Sequence, residues 1–345
     1  MKFGETFMEY LHGDQGRFLN KCSHVEYKRL KKVLKLCRNC QDLQNSSKEQ
    51  QNNGDNEGPM LSCQCQSCSL CDQMFFSELM REASDVSGCF NSRVRHLLHL
   101  HIAKGMQRYA LGLCHCFKNN QQSMVEEGRM LMEYVTMNAI AIRKILKKYD
   151  KCSFNEKTHL HLMRLESIHC SVNGKNFKSK LRAERIELLQ SPWLIELGAF
   201  YLNFNGLQDG EFSVSCDLNA SEPVIKLMLL NSIKLDCSLT CAICLETVFN
   251  PYALSCGHLF CKSCACSAAS VMLFQGLKAA SSDAKCPVCR EAHVYARSVH
   301  MLELDLLLKT RCKESWKGRM MNERAEMVKQ TREFWDLQTK LAIGF

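Results

Sequence analysis

Apolar positions recur with a helical period through most of the first two hundred residues. Between Glu26 and Arg38, Leu30, Val33, Leu34 and Cys37 follow the i, i+3, i+4, i+7 spacing, and Lys28, Lys31, Lys32 and Lys35 repeat it two residues earlier. An offset of two residues is about 200° around a helix, so the two stripes lie on opposite faces. Asn138 to Lys151 has the same design, with Ile142, Ile145, Leu146 and Tyr149 as the apolar stripe and Lys144, Lys147, Lys148 and Lys151 as the basic one. Each lysine row repels itself at i, i+4, a cost that a bound polyanion would remove. Two such helices packed by their apolar sides would bring both rows to one rim and form a phosphate trap. Solvated lysine faces are the plainer alternative.

The remaining pattern sets out the rest of the chain. Phe75 to Phe117 and Val125 to Tyr149 are helix-compatible, and His96, His99, His101 and His115 within them lack partners at ligand spacing. Ser153 to Gly174 interrupts the period as an insertion, and helix resumes over Phe177 to Leu202, where Ser191-Pro192-Trp193 combines a serine cap with a first-turn proline. Gln41 to Pro59 is poor in apolar residues and is expected to be a disordered loop, about residues 41–60. Asn203 to Ala220 reads as a linker, and Pro223 to Leu239 as one or two short strands. Val299 to Phe345 is a charged amphipathic helix, suited to extending the segment before it, to homodimer formation or to carrying a substrate; Trp316 and Trp335 there are packing residues.

Composition changes this picture only in part. A length of 345 residues allows two or three domains, and 46% hydrophobic residues is ordinary for a globular protein. The 23 cysteines would suggest disulfides in a short secreted chain, yet Met1 to Leu11 lacks the apolar core of a signal peptide. An intracellular, reducing setting is therefore expected, in nucleus or cytoplasm, with peripheral visits to the plasma membrane. Apolar runs such as Leu194 to Leu202 fall far short of the ~18 residues that cross a bilayer. The net charge of +9 favours anionic partners.

The chemistry concentrates in one stretch, Cys241-x2-Cys244-x11-Cys256-x-His258-x2-Cys261-x2-Cys264-x21-Cys286-x2-Cys289. A two-residue gap lets both sulfurs of a knuckle face one ion, so eight ligands fill two tetrahedral zinc sites with none left over. A segment this short cannot bury enough apolar area to fold alone, and each structural zinc contributes about 10–16 kcal/mol of binding that is also folding free energy. With all four positions taken by protein, neither ion can activate water or polarise a carbonyl. Cys37, Cys40, Cys68 and Cys71 have the spacing for a further zinc site, the alternative being reduced, partly buried thiols.

Histidine as the fourth ligand, in Cys256-x-His258, gives the C3HC4 order of RING domains, whereas PHD fingers put it fifth; the stretch resembles a RING. That resemblance implies alternating ligand pairs, with Cys241, Cys244, Cys261 and Cys264 on one ion and Cys256, His258, Cys286 and Cys289 on the other. It also implies that Ile243, Pro287 and Arg290 dock an E2 ubiquitin-conjugating enzyme, Arg290 clamping E2 to ubiquitin. Ala265 to Lys278, read as helical, lacks the tryptophan many RINGs use there, leaving Leu273 or Phe274 as the substitute.

MKFGETF at the start, Tyr27-x-x-Leu30-Lys31-Lys32, and Asn138 followed by Lys144 to Lys151 resemble SPX domains, helical modules that bind inositol polyphosphates and pyrophosphates. By motif position, Tyr27, Lys31 and Lys148 would form the phosphate cluster, and Lys144, Lys147 and Lys151 a second lysine surface. Together the two parts resemble the plant SPX-RING ubiquitin ligases. The fold implied is mostly α: an SPX-type bundle over residues 1–202, a linker over 203–237, a RING-type ββα cross-brace over 238–292 and a helical tail over 293–345. The implied function is that of a RING-type E3 ubiquitin ligase with no covalent nucleophile, acting in phosphate homeostasis with membrane phosphate transporters as substrates. The alternative is a non-catalytic phosphate-sensing adaptor. Nucleic acid is not an expected partner, since neither lysine stripe is interleaved with stacking aromatics.

Overall fold

The computed structural model describes residues 3–12, 22–34, 69–111, 118–153, 172–183, 188–204, 212–218, 222–229 and 233–343. These are mostly helical: α1 (Phe3–His12), α2 (27–34), α3 (Ser69–Leu111), α4 (Lys118–Ser153), α5 (Val172–Ala183) and α6 (Pro192–Asn203) come first. The expected loop at 41–60, residues 154–171 of the expected insertion, Lys35, and Cys37, Cys40 and Cys68 lie outside the described residues, as do the side chains of Cys71 and Lys151. No described helix is long and apolar enough to cross a membrane. The chain divides into two compact units, Met1–Ser92 with Tyr134–Leu188, and Arg93–Glu133 with Leu189–Phe345.

The first unit is held by large side chains. Phe7, Leu30, Phe75, Leu79, Phe90, Tyr134 and Ile145 are almost wholly buried, which the apolar stripes of α2, α3 and α4 require. Tyr149 stacks on Phe75 at 5.3 Å between ring centroids and meets Phe76 edge-on at 4.8 Å, while its hydroxyl donates to Asp72. The entry to α2 is fixed by buried polar groups. Asn138 accepts from the Val25 N–H at 2.8 Å and donates to the Tyr134 carbonyl at 2.8 Å, and Glu82 accepts from the Glu26 N–H at 2.9 Å. Buried amides of this kind carry specificity because each is satisfied.

In the second unit α6 begins as the sequence predicts: Ser191 accepts from the Trp193 N–H at 3.3 Å, and Pro192 is the first helical residue. Residues Leu194 to Tyr201 are all buried. Against α6 lies an antiparallel sheet of β1 (Ser213–Asp217), β2 (Val224–Leu229) and β3 (Ile233–Ser238), with β2 central and Ile225, Leu227 and Leu229 turned to the core. A Cβ on Gly198 of α6 would stand 2.7 Å from Leu227 Cδ2, so glycine permits this close approach. Strands β2 and β3 fill Pro223 to Leu239, where one or two strands were expected, and only β1 falls in the stretch Asn203 to Ala220 expected as linker. Strand β1, Ser-Val-Ser-Cys-Asp, turns only Val214 and Cys216 inward, too faint an alternation to read.

Beyond it come β4 (Pro251–Ala253), β5 (Leu259–Cys261), α7 (Lys262–Ala268), β6 (Val299–His300), α8 (Leu302–Arg311) and α9 (Lys313–Ile343), with β4 between β5 and β6 in a second sheet. The tail is thus a strand and two helices broken at Cys312, not one helix. The Glu303 and Leu304 N–H groups opening α8 donate to the buried Glu196 carboxylate of α6 at 3.0 and 3.1 Å. Burial pushes the Glu196 carboxyl up to about 8 against the opposing pull of those two donors. Asn203 adds hydrogen bonds to the Glu303 carbonyl and carboxylate at 2.9 and 2.8 Å.

Candidate functional site

One local turn is built twice. The Cys241 N–H donates to the Glu246 carbonyl and the Leu245 N–H to the Cys241 carbonyl, with Leu245 at φ 60; the Cys286 N–H donates to the Glu291 carbonyl and the Arg290 N–H to the Cys286 carbonyl, with Arg290 at φ 59. Each turn folds a Cys-x2-Cys pair back on itself. Between them, the β4–β5 hairpin places Cys256 and His258 in its turn, where Gly257 takes φ 84, and sets Cys261 at the end of β5. Helix α7 starts on the next residue and carries Cys264 into the same space.

The result is two clusters. Ligand atoms of Cys241, Cys244, Cys261 and Cys264 lie within 4.8 Å of one another, and so do those of Cys256, His258, Cys286 and Cys289. Cys244 and Cys261 sulfurs are 3.7 Å apart, and His258 Nδ1 is 3.4 Å from the Cys256 sulfur and 3.7 Å from that of Cys286. The interleaved pairing implied by the RING resemblance is the one the chain brings together. Crowding makes the first proton of each pair easy to lose: a hydrogen bond from Cys261 lowers the Cys241 thiol, and one from Cys256 lowers that of Cys286. Four sulfur or imidazole donors per cluster fit zinc, two ions in all.

Around the clusters the knuckle side chains face outward. Ile243 is 40% exposed, and Pro287, Val288 and Arg290 are exposed. The helix expected over Ala265 to Lys278 ends at Ala268, because Ser270 at φ 55 and Gly276 at φ 73 break its backbone. Of the two expected tryptophan substitutes, Leu273 is buried and Phe274 reaches the surface, where its ring meets Phe334 of α9 at 5.4 Å.

In the first unit, the basic residues converge on one aromatic pair. Tyr27 is packed edge-on against Phe3 at 5.3 Å, Lys148 Nζ lies 5.3 Å from the centre of the Tyr27 ring, and Lys144 Nζ lies 5.6 Å from that of Phe3. Burial raises the Tyr27 phenol while Lys31 and Lys144 draw it down. Lys31 and Lys147 are exposed; Lys151 continues α4 in its backbone. Among the described residues, none of Lys31, Lys144, Lys147 and Lys148 has a carboxylate within salt-bridge distance. Sequence reasoning missed Phe3 as the platform under Lys144, although MKFGETF contained it.

Two knuckles, a hairpin and a short helix presenting eight ligands in this order define a RING-type zinc-finger protein, and the family model of that description matches residues 241–287. The chain is 61% identical to the Probable E3 ubiquitin-protein ligase BAH1-like of Arabidopsis thaliana and 56% identical to the Probable E3 ubiquitin-protein ligase BAH1-like 1 of Oryza sativa subsp. japonica. It is 38% identical to the E3 ubiquitin-protein ligase NLA of Arabidopsis thaliana, and all three alignments span the whole of both chains. The chain belongs to this BAH1-like and NLA family of plant E3 ubiquitin-protein ligases. No solved structure matches it. It is a RING-type E3 enzyme, with an E2 and ubiquitin as its partners, which sets aside the reading as a non-catalytic adaptor.

Proposed function

We propose that this E3 ligase senses inositol polyphosphates or pyrophosphates through an SPX domain spanning residues 1–202, and ubiquitinates membrane phosphate transporters in the service of phosphate homeostasis. The observation that carries the reading is the convergence of Lys31, Lys144 and Lys148 on Tyr27 and Phe3 without carboxylate partners among the described residues. Ammonium groups held close together without counter-charge favour a polyanion, and each well-placed phosphate contact adds roughly 1.5–3 kcal/mol, less where solvent screens it. Lys147, exposed one turn from Lys144, extends the surface along α4, and Lys151 follows it in sequence by one further turn.

The RING, a ββα cross-brace over residues 238–292, works by position. Ile243 and Pro287 offer apolar contact to the E2, while the planar five-donor fork of Arg290 bridges carbonyl-rich surfaces of E2 and ubiquitin. Held in one reactive conformer, the E2–ubiquitin thioester is attacked by a substrate lysine amine, and the E2 thiolate leaves. No side chain of this chain acts as nucleophile. Zinc supplies folding energy and fixes the knuckles.

Calorimetric titration with inositol hexakisphosphate, beside reconstituted autoubiquitination with a panel of E2 enzymes, tests both halves. Lys148→Ala is expected to weaken binding about tenfold and keep ligase activity; Arg290→Ala is expected to lose activity and keep binding. Unchanged affinity in Lys31→Ala and Lys148→Ala removes the anion site, and unchanged transfer in Ile243→Ala and Arg290→Ala removes the E2 contacts.

A further inference from the structure

The two ligand clusters differ in charge. Four thiolates around a divalent ion leave an excess of two negative charges, whereas three thiolates and a neutral imidazole leave one. Cys241 and Cys261 of the first cluster are buried, so that excess sits where water compensates it poorly. We propose that Arg319, on the tail helix α9, is the counter-cation of the four-cysteine site and sets how tightly that site holds its metal.

Arg319 places one guanidinium nitrogen 3.2 Å from the Cys261 sulfur and donates from the other to the Thr247 carbonyl at 2.5 Å. Its guanidinium carbon lies 5.1 Å from the centre of the Phe249 ring, and the Phe249 N–H is the second donor to Cys261, at 3.3 Å. The Glu246 carboxylate, 3.6 Å away and exposed, completes the fork. A turn of α9 on either side anchors it: Trp316 meets Phe249 edge-on at 5.7 Å, and Asn250 donates to Glu323 at 2.7 Å. The side chain is fixed on four sides against the loop that follows the first knuckle. Among the described residues, the cluster of Cys256, His258, Cys286 and Cys289 has no such cation; the Glu291 carboxylate, 4.0 Å from the Cys289 sulfur, is its charged neighbour, and Cys289 is exposed.

A donor to a metal-bound thiolate drains its negative charge and orients it, and losing such a partner typically lowers metal affinity about 10–100-fold. A planar fork can span the Thr247 carbonyl and the Cys261 sulfur together, which an ammonium group cannot. The inference rests on zinc binding by the RING and is independent of the anion-binding reading.

The test uses the full chain loaded with cadmium-113, whose resonance distinguishes a four-sulfur site from one with three sulfurs and a nitrogen, titrated with a competing chelator. Arg319→Gln is expected to weaken the four-cysteine site about tenfold or more, with Arg319→Lys between it and the native chain and the histidine-containing site unchanged. The exposed Arg324→Ala on the same helix serves as control and leaves both sites unchanged. Equal loss at both sites, or none at the four-cysteine site, overturns the proposal. If Arg319→Gln does not accumulate as folded protein, Arg319→Lys decides, by losing affinity at the four-cysteine site alone or failing to.

Discussion

The helical unit around Phe90 and Tyr134 and the zinc module around Cys241 to Cys289 obtain order by different means. In the helical unit, order comes from shape: aromatic rings at 4.8–5.3 Å and aliphatic side chains with almost no exposure fill space that has many near-equivalent fillings. In the zinc module it comes from eight ligand atoms, and in and around the knuckles the chain makes tight turns with Leu245, Ser270 and Arg290 at positive φ that apolar packing alone would not support. The lesson concerns where function can reside. A helical face opposite the core leaves its lysines exposed to solvent, whereas a module whose metal ligands are all consumed has only outward side chains, such as those of Ile243 and Arg290, to offer a partner.

The comparison breaks most visibly under chelation. Stripping both ions removes about 10–16 kcal/mol per site, so ubiquitin transfer is expected to vanish while most far-UV helical signal persists. Parallel loss of both signals across a chelator titration would mean the two regions do not differ as argued. Phe90→Ala probes the other side: about 3–5 kcal/mol of stability lost in a urea melt, with two metal ions per chain still found by elemental analysis.

A smaller effect, specific to the second unit, follows from Glu196. Burial lifts its carboxyl from 4.5 to about 8, so the folded chain holds a proton that the unfolded chain releases. Stability therefore declines as pH rises from about 4.5 through about 8, by up to a few kcal/mol. Glu196→Gln should flatten that decline between about pH 6 and 8.5, measured as urea midpoints. An unchanged slope would mean that Glu196 is already ionised in the fold, held by its two N–H donors.

The ligand spacings, the Ser191-Pro192 start of α6 and the opposed stripes of α2 and α4 were all legible in the sequence because each is a local pattern. Strand β1 and its register on β2 were not, since they depend on α6 and on the absence of a side chain at Gly198. Ala- and Leu-rich propensity favours helix over Ala265 to Lys278, but positive φ at Ser270 and Gly276 interrupts it. Arg319, Glu196 and Phe3 were illegible for another reason: each acts on a partner distant in sequence, and a single charged or aromatic residue carries no period.

The tail helix also redraws the border of the catalytic module. Gln330 accepts from the Leu273 N–H at 2.9 Å, and Phe334 covers Phe274, more than forty residues past the last zinc ligand. Strand β6 meanwhile completes the sheet of β4 and β5. An engineer grafting this ligase head onto a new targeting domain should carry the graft to at least Phe334; a cut at the end of the zinc motif would deliver a head missing its splint.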